Sequence, residues 1–457
     1  MEKKMKDKRF EMDPAAIGQY EREYVLHSWS AQKSFKPFII SKAKGSCFWD
    51  EKGKRYLDFC SQLVNVNAGH QHPKIIQAIK DQADKICYVG PAFANERRAE
   101  LGRLLAEVTP GDLTKSFLTI GGGPANEDAI KIARAYTGRN KIITRWRSYH
   151  GATQGAIAAS GDPRRLPTEP GVPGFIRIWD PYCYKCFFKQ EYPECNLLCC
   201  EQIREVIEVE GPGEIAAIMV EPITASNCRI VPPDGYLQLL RKICDEYGIL
   251  LIFDEVMTGF GRTGEWFACN HWNVVPDIMT MAKGIDSAYV PLGATIVTSR
   301  VAEHFEDNTL YDGLTNFGHP LACAAAIAAI HVYREEKMVE NSRAMGQVLM
   351  RELERMKEEH PCVGDVRGKG LFAAIELVKD KETRERLVPW TVEYYEKKHP
   401  AMGEMLSSLK EEGVHTYARW NVLMIAPPLC ITEQELMEGL EKIDKALTIV
   451  DKYISTT

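Results

Sequence analysis

Seven short apolar runs recur through the middle of the chain, at 115–120, 141–146, 175–179, 216–220, 249–253, 278–281 and 294–298, each separated from the next by turn residues or amphipathic stretches. Runs of this length are strands, and apolar character without polar alternation means burial on both faces. Such a sheet has to be covered by helices on each side. The pattern therefore predicts an α/β fold built on a large, mostly parallel, seven-stranded sheet.

The flanks differ from the middle. Strands are expected at 36–40, 46–49 and 56–59, with 50–54 (Asp-Glu-Lys-Gly-Lys) as a hairpin turn, and amphipathic helices at 73–86 and 94–108. After Pro320 a helical pattern passes Tyr333 and continues towards Glu359, followed by a meander at 363–377 and a short strand near 423–426. A chain of 457 residues would make about three domains at ~150 residues each. The pattern instead predicts a large α/β domain at 72–325 and a smaller α+β domain assembled from 1–71 and 326–457.

Composition removes some functions. With 57 Lys and Arg against 63 Asp and Glu, the net charge of −6 is the wrong sign for a general nucleic-acid binder. The longest apolar run, 321–330, is too short to span a bilayer. Residues 1–10 (MEKKMKDKRF) are charged and do not resemble a signal peptide. A cytoplasmic protein with no nucleic-acid or membrane partner is expected, its 14 cysteines mostly reduced.

Chemistry gathers at the strand ends. The run Gly248-Ile-Leu-Leu-Ile-Phe-Asp254-Glu255 closes an apolar strand with two carboxylates, where open α/β sheets bind ligands; an Asp-turn or helix cap would leave the same letters. Lys283 ends the next apolar strand and is followed by Gly284. A desolvated lysine can act as an amine nucleophile and form a Schiff base, although residue types alone leave open a surface lysine. Gly121-Gly-Gly-Pro-Ala-Asn126 joins a strand to a helix start, where exposed amides and the helix dipole favour a phosphate. Tyr149, before His150-Gly151, offers a ring to stack on a flat heteroaromatic group or to pack ordinarily. Gly259-Phe-Gly-Arg-Thr-Gly264 has the letters of a dinucleotide fingerprint, but the acidic pair precedes it and no amphipathic helix follows, so a nucleotide site is not expected there.

In this order the segments resemble the class III pyridoxal-phosphate-dependent aminotransferases, the ω-aminotransferase group of fold type I. The resemblance runs from Asn67-Ala-Gly-His-Gln-His-Pro73 through Val220-Glu221-Pro222-Ile223, Asp254-Glu255-Val256, Ala282-Lys283-Gly284 and Thr315-Asn-Phe-Gly-His-Pro320 to Ala426-Pro-Pro-Leu429. It implies pyridoxal 5'-phosphate as cofactor and ping-pong transfer of an amino group from an ω- or β-amino donor to a 2-oxo acid such as pyruvate or 2-oxoglutarate. It implies Lys283 as the cofactor lysine and catalytic residue, and Asp254 as partner of the pyridinium nitrogen. Tyr149 and Val256 would lie on the two ring faces, the amides of Gly122 and Gly123 on the phosphate, and Glu221 near the cofactor hydroxyl. In the family the threonine corresponding to Thr315 completes the phosphate site of the neighbouring subunit, which implies a homodimer, alone or paired into a tetramer.

Three departures bear on substrate. The phosphate loop lacks the family's serines. Val64 stands where amine-specific relatives carry tryptophan, which implies a wider pocket. The segment Ser61-Gln-Leu-Val-Asn65, with Gly69-His-Gln-His-Pro73, is similar to that of 3-aminobutyryl-CoA aminotransferases, implying a β-amino thioester donor. Ser226 replaces the glutamate of ornithine-type members, and Arg419, before Pro427-Pro428, is the candidate for an acceptor carboxylate. The cluster Cys183-x2-Cys186-x8-Cys195-x3-Cys199 has spacing open to zinc; structural thiols without metal are expected. A same-fold aminomutase or racemase, or a non-catalytic binding protein, are the competing functions.

Overall fold

The computed structural model describes residues 12–397 and 399–454; the charged stretch at 1–10 lies outside them. Three strands open the chain, β1 (Ile40–Lys44), β2 (Cys47–Asp50) and β3 (Arg55–Asp58). The hairpin between β2 and β3 closes where Gly53 N–H donates to the Asp50 carbonyl at 3.1 Å. The first strand starts four residues later than the sequence implies. The expected run at 36–40 carries Pro37, which supplies no ladder donor, and pairing begins only at Ile40 opposite Asp50.

All seven expected central strands are present: β4 (Leu113–Thr119), β5 (Lys141–Arg145), β6 (Phe175–Ile178), β7 (Ile215–Val220), β8 (Leu250–Asp254), β9 (Ile278–Met281) and β10 (Gly293–Thr298). They form one sheet in the order β4-β10-β9-β8-β7-β5-β6. Every pairing is parallel except the two made by β10, which runs against both β4 and β9. Strands β7 and β8 are buried at every position, whereas the edge strand β4 exposes Thr114 and Lys115. Successive residues of β8 serve opposite faces: Leu251 and Phe253 join the main core, while Leu250 and Ile252 pack with Ala129, Ile130 and Val301 on the other side.

Strands β11 (Val363–Lys369), β12 (Phe372–Asp380), β13 (Glu385–Arg386), β14 (Val414–His415), β15 (Tyr417–Arg419) and β16 (Val422–Ile425) follow. A third sheet has the order β11-β12-β16-β15, with β13 on β12. β14 instead joins the first sheet, pairing parallel to β3 through Val414–Leu57 and His415–Asp58. The long helical pattern after Pro320 is two helices, Pro320–Glu335 and Met338–Glu359, broken at Lys337, whose φ is +51°. Among the described residues, no helix is long and apolar enough to cross a membrane.

Candidate active site

The parallel strands point their carboxyl ends one way, so residues far apart in sequence meet at one rim. Asp254 is the last residue of β8, Glu221 follows β7, Tyr149 lies beyond β5, Lys283 beyond β9, and Gly121–Gly123 beyond β4.

Asp254, 4% exposed, is the best-held of them. Its Oδ2 accepts from Asn126 Nδ2 at 2.8 Å and faces His150 Nδ1 at 2.7 Å, while Oδ1 accepts from the Val256 N–H at 3.0 Å. Asn126 is itself fixed, because Thr280 Oγ1 donates to its Oδ1 at 2.6 Å and its Nδ2 also reaches the His150 carbonyl at 2.6 Å. A carboxyl fixed by three donors on three elements keeps one orientation. Glu255 leaves the strand on the opposite side. It is buried and accepts from the Ala268 and Cys269 N–H groups at 3.0 and 2.8 Å, so it serves the 268–272 turn.

Lys283 sits at φ +46°, a conformation strained for a side-chain-bearing residue and of a kind that concentrates at functional sites. Its Nζ donates to the Leu63 carbonyl at 3.1 Å. Burial, with Arg229 and Arg164 adding like charge against the opposing pull of Asp254 and Glu221, lowers its pKa to about 8. The Lys283 amine therefore gains a substantial neutral, nucleophilic fraction near neutrality.

The segment that meets Lys283 is a strained turn. Ser61, Gln62 and Val64 have φ of +45°, +58° and +57°. Asp58 holds it by accepting from Gln62 N–H at 3.0 Å and Gln62 Nε2 at 2.9 Å, and it also pairs with His70 Nε2 at 2.8 Å. From the other side, the fully buried Arg262 donates to Ser61 Oγ at 3.1 Å, Asn67 Oδ1 at 2.8 Å, the Leu371 carbonyl at 3.2 Å and the Pro427 carbonyl. Arg262 belongs to the glycine-rich segment that lacked a nucleotide context. Its glycines permit close approach: at Gly261, φ +85°, a Cβ would come 2.8 Å from Leu429 Cδ1. Val64 is 1% exposed and packs into the core, because the positive-φ residues rotate it inward, and Leu63, 53% exposed, is the outward side chain.

Helix Gly122–Thr137 begins at the glycine loop. The Gly122 and Gly123 amides, in its first turn, have no intrahelical acceptor, and Pro124 has no N–H. A Cβ at Gly122 would lie 2.8 Å from Val256 Cγ1, so the loop and Val256 are in direct contact. Similarly, Gly151 lies against Gly123, where a Cβ would meet the Gly123 Cα at 2.5 Å.

Tyr149 is partly buried, and the Arg164 guanidinium covers one ring face at 3.4 Å. Arg164 is clamped on the buried Asp162 through bonds of 2.7 and 3.0 Å. Against the upward push of burial, Arg164 and, more weakly, Arg419 keep the Asp162 carboxyl below its ordinary pKa, which places Arg419 beside this group. Glu221 accepts from Tyr149 N–H at 3.2 Å and Ala225 N–H at 2.9 Å; burial, with Asp254 adding against His150, raises its pKa to about 7. Ser226 lies by Met257, its Oγ 3.6 Å from the sulfur.

Thr315 stands apart. It is exposed in a groove with Pro91, Phe117 and Phe317, its carbonyl accepting from Tyr88 Oη at 2.8 Å, and the hydrogen bonds of the described residues do not link it to Asp254 or Lys283. Cys183, Cys186, Cys195 and Cys199 line one small cavity away from these residues, all four as free thiols. Among the described residues, only Asp58, Cys60 and His415 bring three metal-ligating atoms within 4.8 Å of one another.

Sequence reasoning gave no role to Asn126, His150, Arg164, Arg229 or Arg262. Arg229 had a readable signal, a charge inside the apolar run Cys228-Arg-Ile-Val231, and it is fully buried with its guanidinium 3.7 Å above the Phe372 ring. Arg164 had none, since a surface arginine after Asp162-Pro163 would look identical.

The rim fits pyridoxal phosphate on two local observations. At Gly122 the loop is too tight for a Cβ and leads into helix amides without an intrahelical acceptor, and a lysine of lowered pKa lies within the field of a fixed carboxyl. The comparisons agree. The family described as Aminotransferase class-III matches residues 29–447. Taurine–pyruvate aminotransferase of Bilophila wadsworthia is 35% identical over 461 residues, covering 96% of this chain and 98% of that protein. A leucine/methionine racemase of Thermococcus litoralis is 35% identical over 437 residues, covering 94% and 95%. Among solved structures, a taurine:2-oxoglutarate aminotransferase from Bifidobacterium kashiwanohense, in complex with PLP and glutamate, superposes with a TM-score of 0.92 at 42% identity, covering 97% of this chain and 99% of that one.

Proposed function

Because the chain belongs to the class-III aminotransferases, which use pyridoxal phosphate in transamination, we propose that it moves the amino group of a small, acid-bearing ω- or β-amino donor to a 2-oxo acid in two half-reactions. The observation that carries the substrate class is the cationic surround of the Lys283 amine. Arg229 and Arg164 act on it directly, and Arg419 acts on the neighbouring Tyr149 and Asp162. Such a field favours a donor with a sulfonate or carboxylate and a 2-oxo acid acceptor. The taurine specificity of two relatives points the same way.

In this reading Lys283 holds the cofactor, Asp254 meets its ring nitrogen, and the Gly122 and Gly123 amides meet its phosphate. When bound, the cofactor supplies an electron sink for the bonds at the amine-bearing carbon. Tyr149, one face already covered by Arg164, turns the other to the ring, with Val256 opposite. Lys283, released as a free amine of lowered pKa, takes the proton from the donor carbon and returns it during transfer. Glu221 lies on the hydroxyl side, and Arg419 binds the acceptor carboxylate. The large domain at 72–325 carries the cofactor, and the two ends of the chain form the smaller one.

A second copy completes the site through Thr315. Supporting this, Tyr311, Phe93 and Tyr88 are 92%, 68% and 42% exposed, Tyr88 and Tyr311 close to Thr315 in the bond network or the chain, an apolar surface unusual for a protein that stays single.

The test is steady-state kinetics with taurine, β-alanine and 3-aminobutyryl-CoA, each against pyruvate and 2-oxoglutarate. Turnover with taurine or β-alanine is expected, and Arg419→Met should raise the acceptor KM ~10-fold or more. Turnover confined to the thioester would replace the acid-bearing donor. The racemase relative supports one further reading: loss of optical purity in an amino acid, with no 2-oxo product released, would make the protein a racemase.

A further inference from the structure

The loop at 308–319, which carries Thr315, joins helices Ser299–Asp307 and Pro320–Glu335 with no regular structure of its own. The backbone hydrogen bonds that N–H and C=O groups of 309–316 make among the described residues stay inside the loop, Asp312 N–H to the Leu310 carbonyl at 2.9 Å and Phe317 N–H to the Leu314 carbonyl at 3.0 Å. Its position rests on side chains. Leu310 and Phe317 pack on the core, Tyr88 donates to the Thr315 carbonyl, and Asp312 turns in a side chain only 4% exposed.

Asp312 turns into the protein. Its Oδ1 accepts from its own loop, the Gly313 N–H at 2.9 Å, and from Lys131 Nζ at 2.8 Å. Its Oδ2 is buried without a donor among protein hydrogen-bond partners, and so is Oδ2 of Asp128, a residue 3% exposed. Lys131, whose Nζ holds Asp312 at 2.8 Å, stands three residues and one helical turn beyond Asp128, so the loop carboxyl is drawn against the helix face that carries the other orphaned oxygen. Two buried carboxylates cannot both stay ionised in contact. One proton between them satisfies both orphaned oxygens: the Asp128 O–H donates and Asp312 accepts.

Asp128 lies on helix Gly122–Thr137, six residues beyond the Gly122 that opens it. We infer that Asp128 and Asp312 are positioning residues that share one proton, fastening the 308–319 loop, and Thr315 with it, to the helix whose first turn is the phosphate cradle. Each subunit thereby couples the cradle of its own site to the threonine it lends its neighbour. That last consequence rests on the proposed role of Thr315; the tether itself does not.

Burial first, and the Asp312 carboxyl second, raise the Asp128 pKa to about 8, with Lys131 opposing and Glu127 adding. Glu127 is occupied by the Gly155 and Ala156 N–H groups at 2.6 and 3.0 Å. A raised carboxyl pKa means that the fastened state holds the proton more tightly than the released one. The tether is therefore strongest in acid and is lost as pH rises through about 8. Between pH 7 and 9, linkage gives a fall of ~10-fold in the fastened-to-released ratio.

Hydrogen exchange of the 308–319 amides in the holoenzyme, corrected for intrinsic rates, tests this. Wild type should lose protection ~10-fold between pH 7 and 9. In Asp128→Asn the amide donates to Asp312 at every pH, so protection should become independent of pH; Asp312→Asn, with donor and acceptor exchanged, should do the same. A wild-type loop without this pH dependence, or variants that retain it, would overturn the tether. Release of pyridoxal phosphate, followed by absorbance in wild type and in Thr315→Val, separates the two claims. Unchanged release in Thr315→Val removes the role of Thr315 and leaves the exchange result to stand alone.

Discussion

The lowered pKa of Lys283 can be measured directly in the apoprotein. An ordinary lysine has a pKa near 10.4, so at pH 7.5 only ~0.1% of its amine is neutral. At the value of about 8 set by burial and by Arg229, the neutral fraction becomes ~24%, roughly a 200-fold gain in reactive amine. Pulse labelling with a trace of acetic anhydride over pH 6–11, read lysine by lysine by mass spectrometry, gives the midpoint for each amine. Access limits how fast Lys283 reacts but not where its curve bends. Lys283 should titrate near 8 and apart from the bulk of the lysines, and Lys283→Ala should lack that early component. A Lys283 midpoint at 10 or above would refute the argument, because burial beside two guanidiniums would then not have depressed it.

Other outcomes follow from the same geometry. Gly122→Ala sets a methyl 2.8 Å from Val256 Cγ1 and should weaken pyridoxal phosphate binding ~10-fold or more, an estimate from the loss of one charge-assisted amide contact; Val256→Ala in the same chain should restore it, as measured by fluorescence titration. Arg262→Met leaves buried acceptors at Ser61, Asn67, Leu371 and Pro427 without a donor, which should cost at least ~2 kcal/mol and lower Tm by calorimetry. Glu221 has its pKa raised from 4.5 to about 7, so its contribution to stability is complete below about 4.5 and is lost as pH rises through about 7. Glu221→Gln should flatten that part of the apoprotein's Tm-versus-pH curve.

What the sequence carried plainly was whatever depends on local pattern. The strands β7 and β8 have no polar residue before their last position, and a buried parallel strand permits little else. Asp254 and Lys283 were legible for a related reason: a charge at the end of an apolar strand has few places to go. The edge strand β1 was misplaced because its residues are mostly exposed and Pro37 interrupts the signal. Least legible were the long-range partners. Nothing near Asp58 announces that Arg262 will hold the far side of its turn, because 204 residues of chain separate the two. The same distance hides why Val64 lies in the core: the left-handed turn that carries it is held by bonds from Asp58 and Arg262.

The parallel pairing of β3 with β14 has a consequence for biosynthesis. Residues 55–58 leave the ribosome more than 350 residues ahead of their sheet partner at 414–415. During most of translation the β3 edge is an open template, exposing unpaired amides and carbonyls to any extended chain nearby. The nascent protein is thus most prone to pair wrongly along this edge before 414–415 emerge. A chain cut short before β14 would lack the strand that closes this edge.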